Sequence, residues 1–133
     1  MGTETLQYRF TMGKISIIKV IKRWAPALIW AVMIFLLSSY NTLPGPDIIW
    51  WDFIFKKGAH IFVYGGLFFW IQRGINWEKK KPTFILAMLL TIAYAFTDEY
   101  HQSFVLGRTA LLSDIGYDFI GATLVMLKLK NLI

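Results

Sequence analysis

A chain of 133 residues has room for one domain, and here 56% of the residues are hydrophobic and only 17% charged, with six Trp, six Tyr and eleven Phe. A soluble core of that size cannot hide so much apolar surface, so the composition excludes an ordinary soluble domain and predicts an all-α integral membrane bundle. The formal net charge of +6 lies in basic residues beside apolar runs, which points to membrane topology and anionic-lipid contact rather than nucleic acid; with no cysteine, disulfide and thiolate chemistry are excluded as well.

Residues 1–13 are polar and unpatterned, which predicts a loose start, with Met12 offering a second initiation position. In residues 14–23, KISIIKVIKR, the cations Lys14, Lys19, Lys22 and Arg23 alternate with Ile and Val, the pattern of an amphipathic entry lying on anionic headgroups. Residues 1–23 thus read as an N-terminal segment ahead of a transmembrane domain, 24–133. The first strongly apolar run, 24–40, is followed by no small-residue cleavage pattern, so it is expected to stay as a signal-anchor, with Pro26 in its first turn.

The stretch NTLPGPDIIWWDFIF then breaks the chain at Pro44, Gly45 and Pro46. It predicts a short aromatic segment in the membrane interface carrying Trp50, Trp51, Phe53 and Phe55. Three more apolar runs follow at 59–75, 83–102 and 111–127. Each of the four runs is about 17 to 20 residues, or about 25 to 30 Å as helix, enough to cross a hydrocarbon core. The link SFVLGRTA is short, and Gly107 marks a turn in it. Gly65, Gly66, Gly116 and Gly121 are expected to let helices approach closely.

Orientation follows from charge. Lys14, Lys19, Lys22 and Arg23 precede the first span; Arg73, Lys79, Lys80 and Lys81 lie between the second and third; Lys128 and Lys130 follow the fourth. In a four-span arrangement all three groups share one side, which the positive-inside rule makes cytoplasmic: N-in, C-in. Lys56, Lys57 and Arg108 fall on the outer side. The expected location is the bacterial plasma membrane, as a multi-pass protein.

The polar residues near the outer ends recur at helical spacing. Tyr94, Asp98 and Gln102 share a face of the third span, with Glu99 beside them; Lys57, His60 and Tyr64 share one of the second; Asp114 and Asp118 share one of the fourth. With Arg108 they predict one polar pocket facing outward. Insertion scales charge about +2.5 to +3.5 kcal/mol for an Asp or Lys at a helix centre, so four carboxylates must face each other and their cations rather than lipid. The competing reading is a helix that ends in water, with Lys57 and Arg108 as snorkelling anchors.

Arg108 is expected to compensate the acids, with Asp98 paired to it or to Lys57. Glu99, about 100° away around the helix, is assigned the more exposed, ligand-facing role. His101 lies off the Asp98 face and reads as an exposed or loop histidine. No H-E-x-x-H, G-x-S-x-G or Walker loop is present. Asp98, Glu99, His60 and Asp114 offer O and N donors to a divalent metal, but their spacing specifies no metal site and no cofactor. In an enzyme, Asp98 or Glu99 would act as general base, His60 as proton donor and Arg108 as the group neutralising phosphate charge.

Two blocks carry a resemblance. K-x-x-H-x-x-x-Y-x-x-L spans residues 57–67, and D-E-x-x-Q-x-F-x-x-G-R spans 98–108, followed by Asp114 and the Gly121-Ala122 pair, with a double serine at Ser38 and Ser39. Together they resemble the VanZ-like family of small bacterial membrane proteins over about residues 24–125. The chain departs from the family pattern at Leu106, where the family has Pro, at Asp118, where it often has Asn, and at Val125, where it has Gly. The resemblance implies a cell-envelope protein associated with low-level teicoplanin resistance. A non-enzymatic pocket for an anionic lipid-linked headgroup, a lipid-linked cell-wall precursor or the glycopeptide itself ranks first. A membrane-embedded hydrolase or transferase acting on a lipid headgroup ranks second, and a scaffold for another membrane protein third. The oligomeric state is left open.

Overall fold

The computed structural model describes residues 3–40, 49–77, 83–108 and 110–133, with side chains from Ile17 onward except those of Ile49 and Asp52. Four α-helices and no strand occur among the described residues: α1 Thr3–Ser38, α2 Ile49–Ile75, α3 Ile85–Gln102 and α4 Leu112–Leu129. The Pro44–Pro46 break and the cations Lys79, Lys80 and Lys81 lie outside them.

Three local expectations change. The backbone from Thr3 to Gly13 belongs to α1, not to a loose start, and α1 runs unbroken through residue 23 into the apolar run. Pro26 therefore lies inside a 36-residue helix. Its missing N–H leaves the Lys22 carbonyl without its helical donor, and its ring crowds that carbonyl, a local cost that packing must offset. The aromatic stretch is no separate interfacial piece either: Trp50, Trp51, Phe53 and Phe55 form the first turns of α2. From Ile49 on α2 holds no proline, so nothing interrupts the i→i−4 ladder before Ile75. Gly107 does turn the chain between α3 and α4, with φ 82°.

Contacts along the helices set the directions. Arg23 on α1 donates through Nε to the Gly74 carbonyl and through Nη2 to the Ile75 carbonyl at 3.3 Å, satisfying orphan acceptors at the end of α2. Midway, Trp30 Nε1 donates to the Val63 carbonyl at 2.7 Å, and Tyr94 Oη of α3 donates to the Ala31 carbonyl at 2.6 Å. Successive helices therefore alternate in direction, and α2 and α4, which run parallel, share the largest interface. Gly65 and Gly121 meet there, Gly66 lies against the Trp30 indole and Gly74 against Trp24, as close approach requires. Gly116 differs from expectation: a Cβ there would meet nothing within 4 Å.

The interior joins an apolar core to a polar cluster. Tyr64, Leu67 and Phe68 of α2 are fully covered, but so are Thr91 and Asp118, and Asp98, Glu99, Gln102 and Asp114 are buried as well. Meanwhile Leu28, Ile29, Val32, Phe62, Leu89, Phe96, Leu112 and Phe119 face outward. So many large exposed apolar side chains suggest an apolar surrounding. Among the described residues, one helix, α1 over Ile17–Ser38, is by length and composition long and apolar enough to cross a membrane. Within their length α3 and α4 each carry two buried carboxylates, and α2 carries the half-buried Lys57 and His60.

Candidate functional site: an interlocked carboxylate and histidine cluster

The polar residues gather where α2 and α4 begin and α3 ends. The i,i+4 spacing on α3 holds: Gln102 Nε2 donates to Asp98 Oδ2 at 2.9 Å. From α2, Tyr64 Oη donates to the same oxygen at 3.0 Å. Asp98 Oδ1 has no hydrogen-bond partner among the described residues. Asp98 is thus paired with neutral donors, not with Arg108 or Lys57 as expected.

Lys57 instead bridges to Asp114 Oδ1, with the two side chains 14% and 10% exposed. Its ammonium also lies over the rings of Phe53 and Tyr117, at 5.5 and 5.2 Å. Held from three sides, it is no snorkelling anchor. One turn on, His60 Nδ1 lies 2.8 Å from Asp118 Oδ1. An ionised carboxylate accepts, so Nδ1 carries the hydrogen and Nε2 points the other way, 3.8 Å from Asp114 Oδ2. Asp118 is completely buried, yet its Oδ2 finds no partner among the described residues.

Glu99 corrects the second expectation. It is as buried as Asp98, 6% against 5% exposed, because the link into α4 folds back over it and Leu111 N–H donates to its Oε2 at 2.9 Å. His60, Glu99 and Asp114 each contribute one ligand atom to a group lying within 4.8 Å of one another. All the predicted site residues except Arg108 meet in this interlocked set.

Arg108 stands beside it. Its guanidinium donates from Nη2 to the Leu37 carbonyl at 2.8 Å and from Nε to the Tyr40 carbonyl at 3.0 Å, closing the end of α1. Nη1 reaches Gln102 Oε1 at 3.5 Å. These three acceptors are uncharged, so Arg108 does not compensate the acids by direct pairing. A further contact escaped sequence reasoning: Ser39 Oγ lies 3.0 Å from His101 Nε2, and the His101 ring packs on Phe35 with centroids 4.5 Å apart. His101 is therefore a half-buried tie between α1 and α3. The double serine was its only sequence signal.

Four buried carboxylates, one imidazole and one ammonium form a centre able to hold a cation, pass a proton through His60, or accept hydrogen bonds from a polyol or amide. The Arg108 guanidinium at its edge adds a donor fork suited to phosphate or carboxylate. No curated protein and no solved structure matches the chain. A family model described as VanZ/LLP1 matches residues 6–132, nearly the whole chain including every residue of the cluster, and the protein belongs to that family.

Proposed function

We propose that this chain is a four-span, N-in/C-in protein of the bacterial plasma membrane whose polar cluster opens to the outer leaflet. There it binds the headgroup of an anionic lipid-linked molecule or a glycopeptide, the activity that would underlie low-level teicoplanin resistance. The bundle's exposed apolar faces suit lipid, and the basic groups at alternate links suit an inward N- and C-terminus.

The observation that carries the binding reading is Arg108: its described partners leave its charge uncancelled at the edge of a buried polar centre. A headgroup phosphate or carboxylate would take the guanidinium, and its hydroxyl or amide groups would donate to the carboxylates behind. The bridge from His60 to Asp118 favours a second reading, a hydrolase or transferase, because an oriented imidazole is equipped to move a proton.

Topology has a direct test. The chain has no cysteine, so single substitutions report cleanly. A thiol at Ser103 should react with an impermeant reagent on intact cells, and one at Ile133 only after permeabilisation; both residues are exposed. The opposite pattern places the cluster on the cytoplasmic side.

For the ligand, protein in nanodiscs is titrated with teicoplanin, with a lipid-linked muropeptide precursor and with phosphatidylglycerol. Arg108→Ala should weaken binding of the preferred probe about 10-fold to 100-fold, the scale of a lost charge-assisted contact of about 1.5 to 3 kcal/mol. Arg108→Lys should recover part of it. Equal affinity in all three proteins removes Arg108 from the site. Turnover of the precursor, lost in His60→Gln, would instead favour the enzyme.

A further inference from the structure

Among the described residues, four carboxylates in one buried cluster meet the Lys57 ammonium and the His60 imidazole, while Arg108 donates to neutral acceptors. Ionised together they would repel strongly, so the cluster must take up protons or hold a further cation. Its place is marked by chemistry as well as by charge. Asp118 fastens His60 through Nδ1 and turns Nε2 toward Asp114 Oδ2, 3.8 Å away. With Nδ1 protonated, the Nε2 of a neutral ring presents a lone pair to a carboxylate oxygen, an arrangement that gains from a positive centre between them, either a proton on Nε2 or a metal ion. Glu99 completes the triangle, with one ligand atom from each of the three residues within 4.8 Å of the others.

We propose that His60, Glu99 and Asp114 bind a divalent first-row transition metal ion of the Zn²⁺ class, with Asp118 as the outer carboxylate that orients the histidine. A histidine ligand commonly donates its other ring N–H to a carboxylate, which fixes the tautomer and raises ligand basicity; the Asp118 bridge has that geometry. One imidazole and two carboxylates favour Zn²⁺ or Mn²⁺ over Ca²⁺, which takes six to eight oxygens.

A tetrahedral ion at about 2.0 to 2.2 Å from each donor holds them about 3.3 to 3.6 Å apart, so small rotations of the side chains close the site. Three protein ligands leave a fourth position for water or a ligand oxygen. A second observation, separate from the triangle, is Asp118 Oδ2: fully buried on the same face of α4 as Asp114, it has no hydrogen-bond partner among the described residues. A metal-bound water would give it a donor. Lys57 keeps the other oxygen of Asp114, so the ion adds to that ion pair and does not replace it.

This site stands independently of headgroup binding, and its test uses Zn²⁺ alone. Full-length protein in detergent is stripped with a chelator and titrated calorimetrically, and the zinc-loaded wild type is examined by X-ray absorption. One Zn²⁺ per chain should bind, raise Tm and show a shell of O and N donors containing one imidazole. His60→Ala and Glu99→Gln should each weaken binding at least 100-fold, Asp118→Asn about tenfold through the orienting contact, and His101→Ala should leave it unchanged. The absorption spectrum comes from the wild type, so misfolding of a variant cannot mask the answer. Absence of saturable binding, two imidazoles in the shell, or equal loss in His101→Ala overturns the proposal.

Discussion

Gly121→Val is expected to take the bundle apart. A Cβ on Gly121 would come within 2.8 Å of the Ile61 carbonyl carbon and 2.9 Å of its Cα, and closer still to the carbonyl oxygen. All three are backbone atoms of α2, so none can swing aside as a side chain would. Gly65 returns the contact: its Cβ would lie 3.1 Å from the Gly121 carbonyl oxygen and 3.2 Å from Val125. The helices touch backbone to backbone, and a larger residue must push them apart. Because α2 and α4 share the largest interface, the cost should exceed about 3 kcal/mol, the upper range for overpacking. The same separation would stretch the His60–Asp118 and Lys57–Asp114 contacts, which cross this interface. Thermal unfolding in detergent checks it. Gly116→Ala, where a Cβ meets nothing, should be neutral or stabilise by up to about 1 kcal/mol through helix propensity. A Gly121→Val protein that melts with the parent would mean a wider crossing than described.

The second large effect is expected at Lys57. Lys57→Met keeps the length and apolar body of the side chain but leaves Asp114 without its ammonium. Removing one partner of a buried pair costs about 3 to 5 kcal/mol, because a desolvated charge remains uncompensated. Both side chains are largely buried, so the buried case applies rather than the surface one, where the loss is under about 1 kcal/mol. The loss should be measured by denaturant unfolding in chelator, so that no bound cation stands in for the ammonium. Asp114→Asn added to Lys57→Met should recover part of the stability, since the double variant buries no unmatched charge. If the single substitution costs under about 1 kcal/mol, or the double is no better than the single, the pair is a solvated contact and the cluster is wetter than its burial implies.

The sequence by itself determined what depends on local helix geometry and on composition. Alternating apolar runs predict four helices, and a period near 3.6 puts Asp98 with Gln102, Asp114 with Asp118 and Lys57 with His60 and Tyr64, whichever helices they later meet. The cost of burying a charge then argues that those faces converge, and in the structure they do. Even the expected glycine contacts hold at Gly65, Gly66 and Gly121, since a residue without Cβ is what a close crossing needs.

What only the tertiary structure decided is who partners whom. Lys57 takes Asp114 and His60 takes Asp118 because the Gly121–Ile61 contact sets the offset between two parallel helices, a long-range quantity that no periodicity encodes. Glu99 is buried because the chain beyond Gly107 lays Leu111 N–H on it, and Arg108 leaves the acids because the end of α1 presents carbonyls within its reach. Both outcomes turn on orphan backbone groups at helix ends, whose positions appear only once the helices are packed.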